Sequence, residues 1–150
     1  MSEPHASLPE ERGRRIERRL AATFDAVDAF CAELREAFLL QIPHRDRFAV
    51  ELLLREALTN AVQYGAACDP RAGVCCEIEL LERAIALRVS DSGNGFDWRR
   101  YVEYPSASLS ESGRGIQILC RYASSLRFNE KGNSVEAVRE FGQEEGHGRF

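Results

Sequence analysis

The stretch Glu56-Ala57-Leu58-Thr59-Asn60-Ala61-Val62-Gln63-Tyr64-Gly65 (EALTNAVQYG) decides how the rest of this 150-residue chain is read. An acid and an amide four residues apart on a helix reach the same small volume. Leu54, Leu58 and Ala61 recur at i, i+4 and i+7 as an apolar stripe, and Glu56, Asn60 and Gln63 repeat that spacing on the opposite side. The spacing predicts a helix over about residues 46 to 64, with Asp46 placed to cap its start and Gly65 its end. The Glu56 carboxylate can take a proton from a hydroxyl, and the Asn60 amide oxygen suits a hard cation such as Mg²⁺ on nucleotide phosphates. Taken alone, such a pair is more often a solvated helix face. Its meaning depends on the rest of the chain.

Downstream, Val74, Cys76, Ile78 and Leu80 alternate, and so do Ile85, Leu87 and Val89, which predicts a hairpin with one face on a core. Asp91 ends the second strand and leads the loop SDSGNGFD (residues 90–97), with Gly93 and Gly95 close behind. A carboxylate fixed at a strand end can accept the exocyclic amine of adenine, and glycines let the backbone turn sharply and approach the ring. From Gly93 to Gly113 no periodicity survives, which predicts a long loop holding Trp98, Tyr101 and Tyr104. Gly113, Arg114 and Gly115 then precede a helical spacing of Ile116, Leu119, Cys120 and Ala123. Free N–H groups at such a helix start bind phosphate, and Arg114 adds positive charge. SLRFN, a turn over Glu130 to Asn133, and SVEAVREF come next as two further strand-like runs. Upstream, RRIERRLAA fits either a strand or one edge of a helix. Thr23 then caps a helix carrying Phe24, Val27, Phe30, Cys31, Leu34 and Phe38, which Ile42-Pro43 breaks.

Residues 1–13 and 142–150 are polar and carry proline or glycine, so the domain is expected over 14–141 with a disordered tail before it and a flexible one after it. A net charge of -4 gives no reason to expect direct nucleic-acid binding or an anionic membrane as partner. Five cysteines show neither C-x-x-C nor Cys/His ligand spacing, which predicts reduced thiols rather than a metal site. No apolar run is long enough for a signal peptide or a membrane span, so the expected location is cytoplasmic. His44-Arg45-Asp46 spells the catalytic-loop triplet of eukaryotic-type protein kinases, but the companion motifs are missing and the triplet reads as coincidence. In an acidic chain, Trp98, Tyr101 and Tyr104 fit lid packing or a partner contact better than base stacking.

In their order, the three segments resemble the N box, G1 box and G2 box of the superfamily of gyrase, histidine-kinase, chaperone and mismatch-repair ATPases. EALTNAVQYG and SGRGIQIL are most similar to the bacterial anti-sigma-factor serine kinases, and the resemblance covers about residues 14 to 140. It implies the Bergerat ATP-binding fold, an α/β (α+β) two-layer sandwich with helices on one face of a mixed, mainly antiparallel sheet. It also implies ATP and Mg²⁺ as cofactors, with Glu56 as catalytic base, Asn60 on the metal, Asp91 on adenine, and Gly93, Gly95, Gly113 and Gly115 shaping the nucleotide loops. Arg114 and Ser134 complete the expected nucleotide contacts. RRIERRLAA becomes a strand, and residues 96–112 a shortened ATP lid. Tyr64 stands where many relatives have His, and Ser134 where many have Thr. The implied activity is serine phosphorylation of an anti-sigma-factor antagonist, with a sigma factor as the other partner; homodimers are common in the family. Two alternatives are a nucleotide-dependent partner-binding module without phosphotransfer and a detached histidine-kinase catalytic domain. For the latter, His5, His44 and His147 offer no acceptor on a dimerisation helix.

Overall fold

The structure is a computed structural model that describes residues 14–65, 71, 73–103 and 111–143. Its elements are β1 (Arg15–Leu20), α1 (Phe24–Glu36), a 3₁₀ turn (Phe38–Gln41), α2 (His44–Asn60), a π turn (Ala61–Gly65), β2 (Val74–Leu80), β3 (Ala84–Asp91), α3 (Trp98–Glu103), α4 (Glu111–Tyr122), β4 (Ser125–Phe128) and β5 (Ser134–Glu140). The expected tails at 1–13 and 144–150, Cys68 and Tyr104 lie outside the described residues, as do the side chains of Tyr101 and Arg114.

The strands form one sheet in the order β1-β2-β3-β5-β4. A mixed, mainly antiparallel sheet was expected; among the described residues all four pairings are antiparallel. Register lines up apolar residues across the sheet: Ile16 opposes Ile78, Ile78 opposes Leu87, Leu87 opposes Ala137, and Ala137 opposes Leu126. Because side chains alternate along a strand, this register gives one apolar face for the helices and leaves Glu77, Arg88 and Glu136 together on the other. RRIERRLAA thus supplies a strand, its Ile16 and Leu20 packed with the core.

Against the apolar face lie α1, α2 and α4, which bury Phe30, Leu53, Leu54, Leu58, Ile116 and Leu119. The stripe of Leu54, Leu58 and Ala61 is buried as its spacing requires. Thr23 caps α1, its Oγ1 accepting from the Ala26 N–H at 3.1 Å. At α2 the expectation fails: the helix starts at His44 after Pro43, and no side chain caps it. Asp46 instead points into the interior, where Oδ1 accepts from Arg139 Nε at 3.1 Å and from the Gly142 N–H at 3.0 Å. The physical reason is Arg139, which sits on the inward face of β5 and needs a buried counter-charge more than α2 needs a cap. Gly142 and Gln143, assigned from sequence to the C-terminal tail, are therefore held here; Gln143 Nε2 also donates to the Tyr122 carbonyl at 3.3 Å.

Two further differences concern the long loop. Residues 98–103 form α3, too short to reveal a period, and α4 begins at Glu111, so Gly113, Arg114 and Gly115 lie inside a helix rather than before one. No helix among the described residues is long and apolar enough to cross a membrane.

Candidate functional site

A small pocket opens where α2 ends, between the π turn, the end of β3 and the β4–β5 turn. Asn60, Tyr64, Asp91, Phe96, Phe128 and Ser134 are among its walls. Asn60 arrives there on the last turn of α2, with only 7% of its surface exposed, and its Nδ2 has no hydrogen-bond partner among the described residues. Glu56 is half-buried one turn earlier on the same side of the helix. Over both passes Gly115 of α4: a Cβ there would lie 2.8 Å from Glu56 Oε1 and 3.5 Å from Asn60 Oδ1. A side chain there would require the Glu56 carboxylate to shift.

Asp91 holds the opposite side by local chemistry. Its Oδ1 accepts from the Gly93 N–H at 2.7 Å, and its own N–H donates to the Asn133 carbonyl at 3.0 Å. Burial raises its pKa above the ordinary aspartate value, with the Gly93 N–H and the charge of Lys131 acting in the other direction. Gly95 has φ +79°, and a Cβ on it would fall 1.8 Å from the Lys131 carbonyl oxygen. Across the same crossing, a Cβ on Gly132 would come within 2.3 Å of the Phe96 carbonyl oxygen. The G1-like loop and the β4–β5 turn are thus pressed backbone to backbone.

Asn129 and Asn133 organise that crossing, and sequence reading gave them no role. Asn129 Oδ1 accepts from the N–H groups of Gly132, Asn133 and Ser134 at 2.8, 3.0 and 3.2 Å, and Asn133 Nδ2 donates to the Gly93 carbonyl at 3.1 Å. Trp98 Nε1 donates to the Asn129 carbonyl at 3.1 Å. The turn itself was legible in Asn129-Glu130-Lys131-Gly132-Asn133. Its partner loop, 40 residues away, was not. Aromatic rings line this wall: Tyr64 stacks on Phe96 at 4.8 Å, Phe96 meets Phe128 edge-on at 5.9 Å, and Trp98 stacks on Phe128 at 5.0 Å.

Of the expected residues, the structure brings Asn60, Asp91 and Ser134 into one pocket, with Glu56 and Gly115 beside it and Gly93 and Gly95 behind Asp91. The helix start does not fall where expected. With α4 opening at Glu111, Gly113 is in the first turn, where N–H groups lack helical acceptors, whereas the N–H of Gly115 is in the helical ladder. No group of three or more His, Cys, Asp or Glu side chains suited to holding a metal occurs among the described residues, and Cys31, Cys75, Cys76 and Cys120 are free thiols. A buried amide and a carboxylate at a strand end, with a second carboxylate one turn away, can between them donate and accept hydrogen bonds and ligate a hard cation.

Among curated proteins, an anti-sigma F factor of Clostridium perfringens (strain SM101 / Type A) is 27% identical over 94 residues, which cover 59% of this chain and 67% of that protein. An anti-sigma F factor of Shouchella clausii (strain KSM-K16) is 29% identical over 106 residues, 67% of this chain and 73% of that protein. The family model of the histidine kinase-like ATPase domain matches residues 20–139, from the end of β1 almost to the end of β5 and so across every wall of the pocket. With the fold, the pocket and that match in agreement, this chain belongs to the histidine kinase-like ATPase domain family.

Proposed function

We propose that this protein is a Mg-ATP-binding anti-sigma regulatory factor that phosphorylates a serine on an antagonist partner and so switches which partner it holds. The observation that carries this reading is the placement of Asn60 and Asp91 in one pocket, with Glu56 a single helical turn from Asn60 and beneath α4. The resemblance to anti-sigma F factors supports a sigma factor as one partner; the antagonist is the second partner in this reading.

Asp91 would accept the adenine amine, and Gly113 in the first turn of α4 would donate its N–H to phosphate. Asn60 fits a magnesium ligand: it is a buried amide whose nitrogen has no partner among the described residues, and amide orientation is set only by such partners. The ion would neutralise charge on the phosphates. Glu56 would take the proton of the partner serine as its oxygen bonds to the γ-phosphorus; the bond from that phosphorus to the β,γ-bridging oxygen breaks, and ADP leaves. Positioning and electrostatics dominate such transfer, so Glu56→Ala should abolish it and spare ATP binding.

The test is intact-mass measurement of candidate antagonist and sigma-like proteins after incubation with Mg-ATP and either the parental chain or Glu56→Ala. A phosphate added by the parent alone supports the reading. Complexes strengthened by ATP without a mass change would favour a sequestering module, and equal transfer by Glu56→Ala would remove Glu56 from its role.

A further inference from the structure

α2 carries an outer apolar stripe that the core does not use. Its inner face, including Val50, Leu53, Leu54 and Leu58, is buried, whereas Phe48 is 69% exposed. Phe48, Leu52 and Glu56 stand at i, i+4 and i+8 and so share one ridge, which sets Phe48 about 12 Å from Glu56 along the helix. Tyr122 of α4 meets Phe48 edge-on at 6.3 Å, and a groove beside them is lined by Phe48, Glu51, Leu52 and Arg55. Leu40, 59% exposed, is tied to the same end of α2 by Arg47, which donates to its carbonyl at 3.2 Å. Phe48, Leu52 and Tyr122 thus make a patch rather than a stray phenylalanine.

Its charges have one sign to offer. Glu51 is engaged by Arg35 and Arg55. Arg121 flanks the aromatic pair, its guanidinium 5.9 Å from the Tyr122 ring, and Arg45, three residues before Phe48, keeps 76% of its side chain exposed although its Nε lies 3.9 Å from Asp46 Oδ2. An apolar knob with a basic rim, about two turns along α2 from Glu56, suits an acidic protein surface even on a chain of net charge -4. We propose that this ridge docks the protein partner served by Glu56, which covers Phe48 and Leu52 with an apolar side chain and sets carboxylates against Arg45 and Arg121. The partner's role rests on the kinase reading above; the docking site does not.

The probe is the protein that the immobilised parental chain retains from its source cells in Mg-ATP, with Phe24→Ser on α1, another exposed phenylalanine, as control. Phe48→Ser should bind that protein at least tenfold more weakly and raise its KM as a phosphate acceptor at unchanged kcat, with ATP affinity and Tm as in the parent. Arg45→Glu should weaken binding most at low salt. Parental binding by Phe48→Ser, an equal loss with Phe24→Ser, no protein retained by the parent, or a parental dimer that Phe48→Ser converts to monomer would each overturn the proposal. Where Phe48→Ser loses a protein that never gains phosphate, docking stands and the kinase reading falls. Where phosphate is added equally by parent and Phe48→Ser at low partner concentration, the reverse holds.

Discussion

Replacing Gly95 with alanine tests the crossing that holds the G1-like loop against the β4–β5 turn. The backbone there has φ +79°, which costs an L-residue about 1–2 kcal/mol. The new Cβ would stand 1.8 Å from the Lys131 carbonyl oxygen and 2.7 Å from its carbon. Both atoms are backbone, so no rotamer change relieves the overlap, and the two segments must part by about 1 Å or more. Parting them lengthens the bond from Asn133 Nδ2 to the Gly93 carbonyl and the bond from the Asp91 N–H to the Asn133 carbonyl, each worth about 1 kcal/mol. The sum, roughly 3–4 kcal/mol against the arrangement that positions Asp91, corresponds to ATP binding weakened by about a hundredfold or more. Trp98, the only tryptophan, reports this directly because it stacks on Phe128 in the pocket wall, so an ATP titration by its fluorescence is the assay. Gly73→Ala is the control: φ is +74° there too, yet the nearest atom to its Cβ is the Leu20 carbonyl oxygen at 3.0 Å, away from the pocket. If folded Gly95→Ala binds ATP within about threefold of the parent, or loses no more than Gly73→Ala does, the clamp is not what positions Asp91.

Other perturbations separate pocket from scaffold. Burial raises the Asp91 pKa, so the folded state binds its proton more readily than the unfolded chain does. The ionised form therefore costs stability above the raised pKa, and that cost disappears as pH falls toward the ordinary aspartate value of about 3.9. An acceptor carboxylate is lost over the same fall. Calorimetric ATP titrations should thus show affinity dropping with acid sooner than a surface aspartate would give, while Asp91→Asn binds weakly with a flat profile; a parental profile in Asp91→Asn would remove Asp91 from adenine recognition. The buried pair of Asp46 and Arg139 makes a different prediction: Asp46→Ala strands a guanidinium in the interior and should cost about 3–5 kcal/mol in urea unfolding. Asp46→Leu with Arg139→Met should recover most of that loss, and a double variant as unstable as the single one would show that the pair matters for more than mutual neutralisation.

How much the sequence revealed depended on how local each cause was. Alternation in Val74 to Leu80 and Ala84 to Val89 located β2 and β3 because each strand has one face on the helices. Thr23 located the start of α1 because a cap acts over three residues. The six residues of α3 hold fewer than two turns and show no period. The start of α4 was hidden because Gly113 and Gly115 oppose helix locally, while the close approach of Gly115 to Glu56 that favours helix there is tertiary. Asp46 looked like a cap because its counter-ion lies 93 residues away on β5. The site shows the same division: Glu56 with Asn60, and Asp91 with Gly93, are short-range pairs, whereas Asn129, Gly132 and Asn133 gain their meaning only when the turn after β4 is pressed against the loop after β3.

That division has a functional consequence under the proposed reading. Asp91 belongs to a clamp of backbone contacts and side-chain hydrogen bonds between two turns, and a structure so over-determined resists displacement. Glu56 meets α4 at Gly115, a residue with no side chain to interlock with it. A nucleotide phosphate held at the first turn of α4 would therefore act on the Glu56 side of the pocket, apart from the clamp on the adenine side. Binding and transfer would then depend on different parts of the molecule, and variants of the clamp should fail at the first step. Those at the α2–α4 contact should bind ATP and fail at the second.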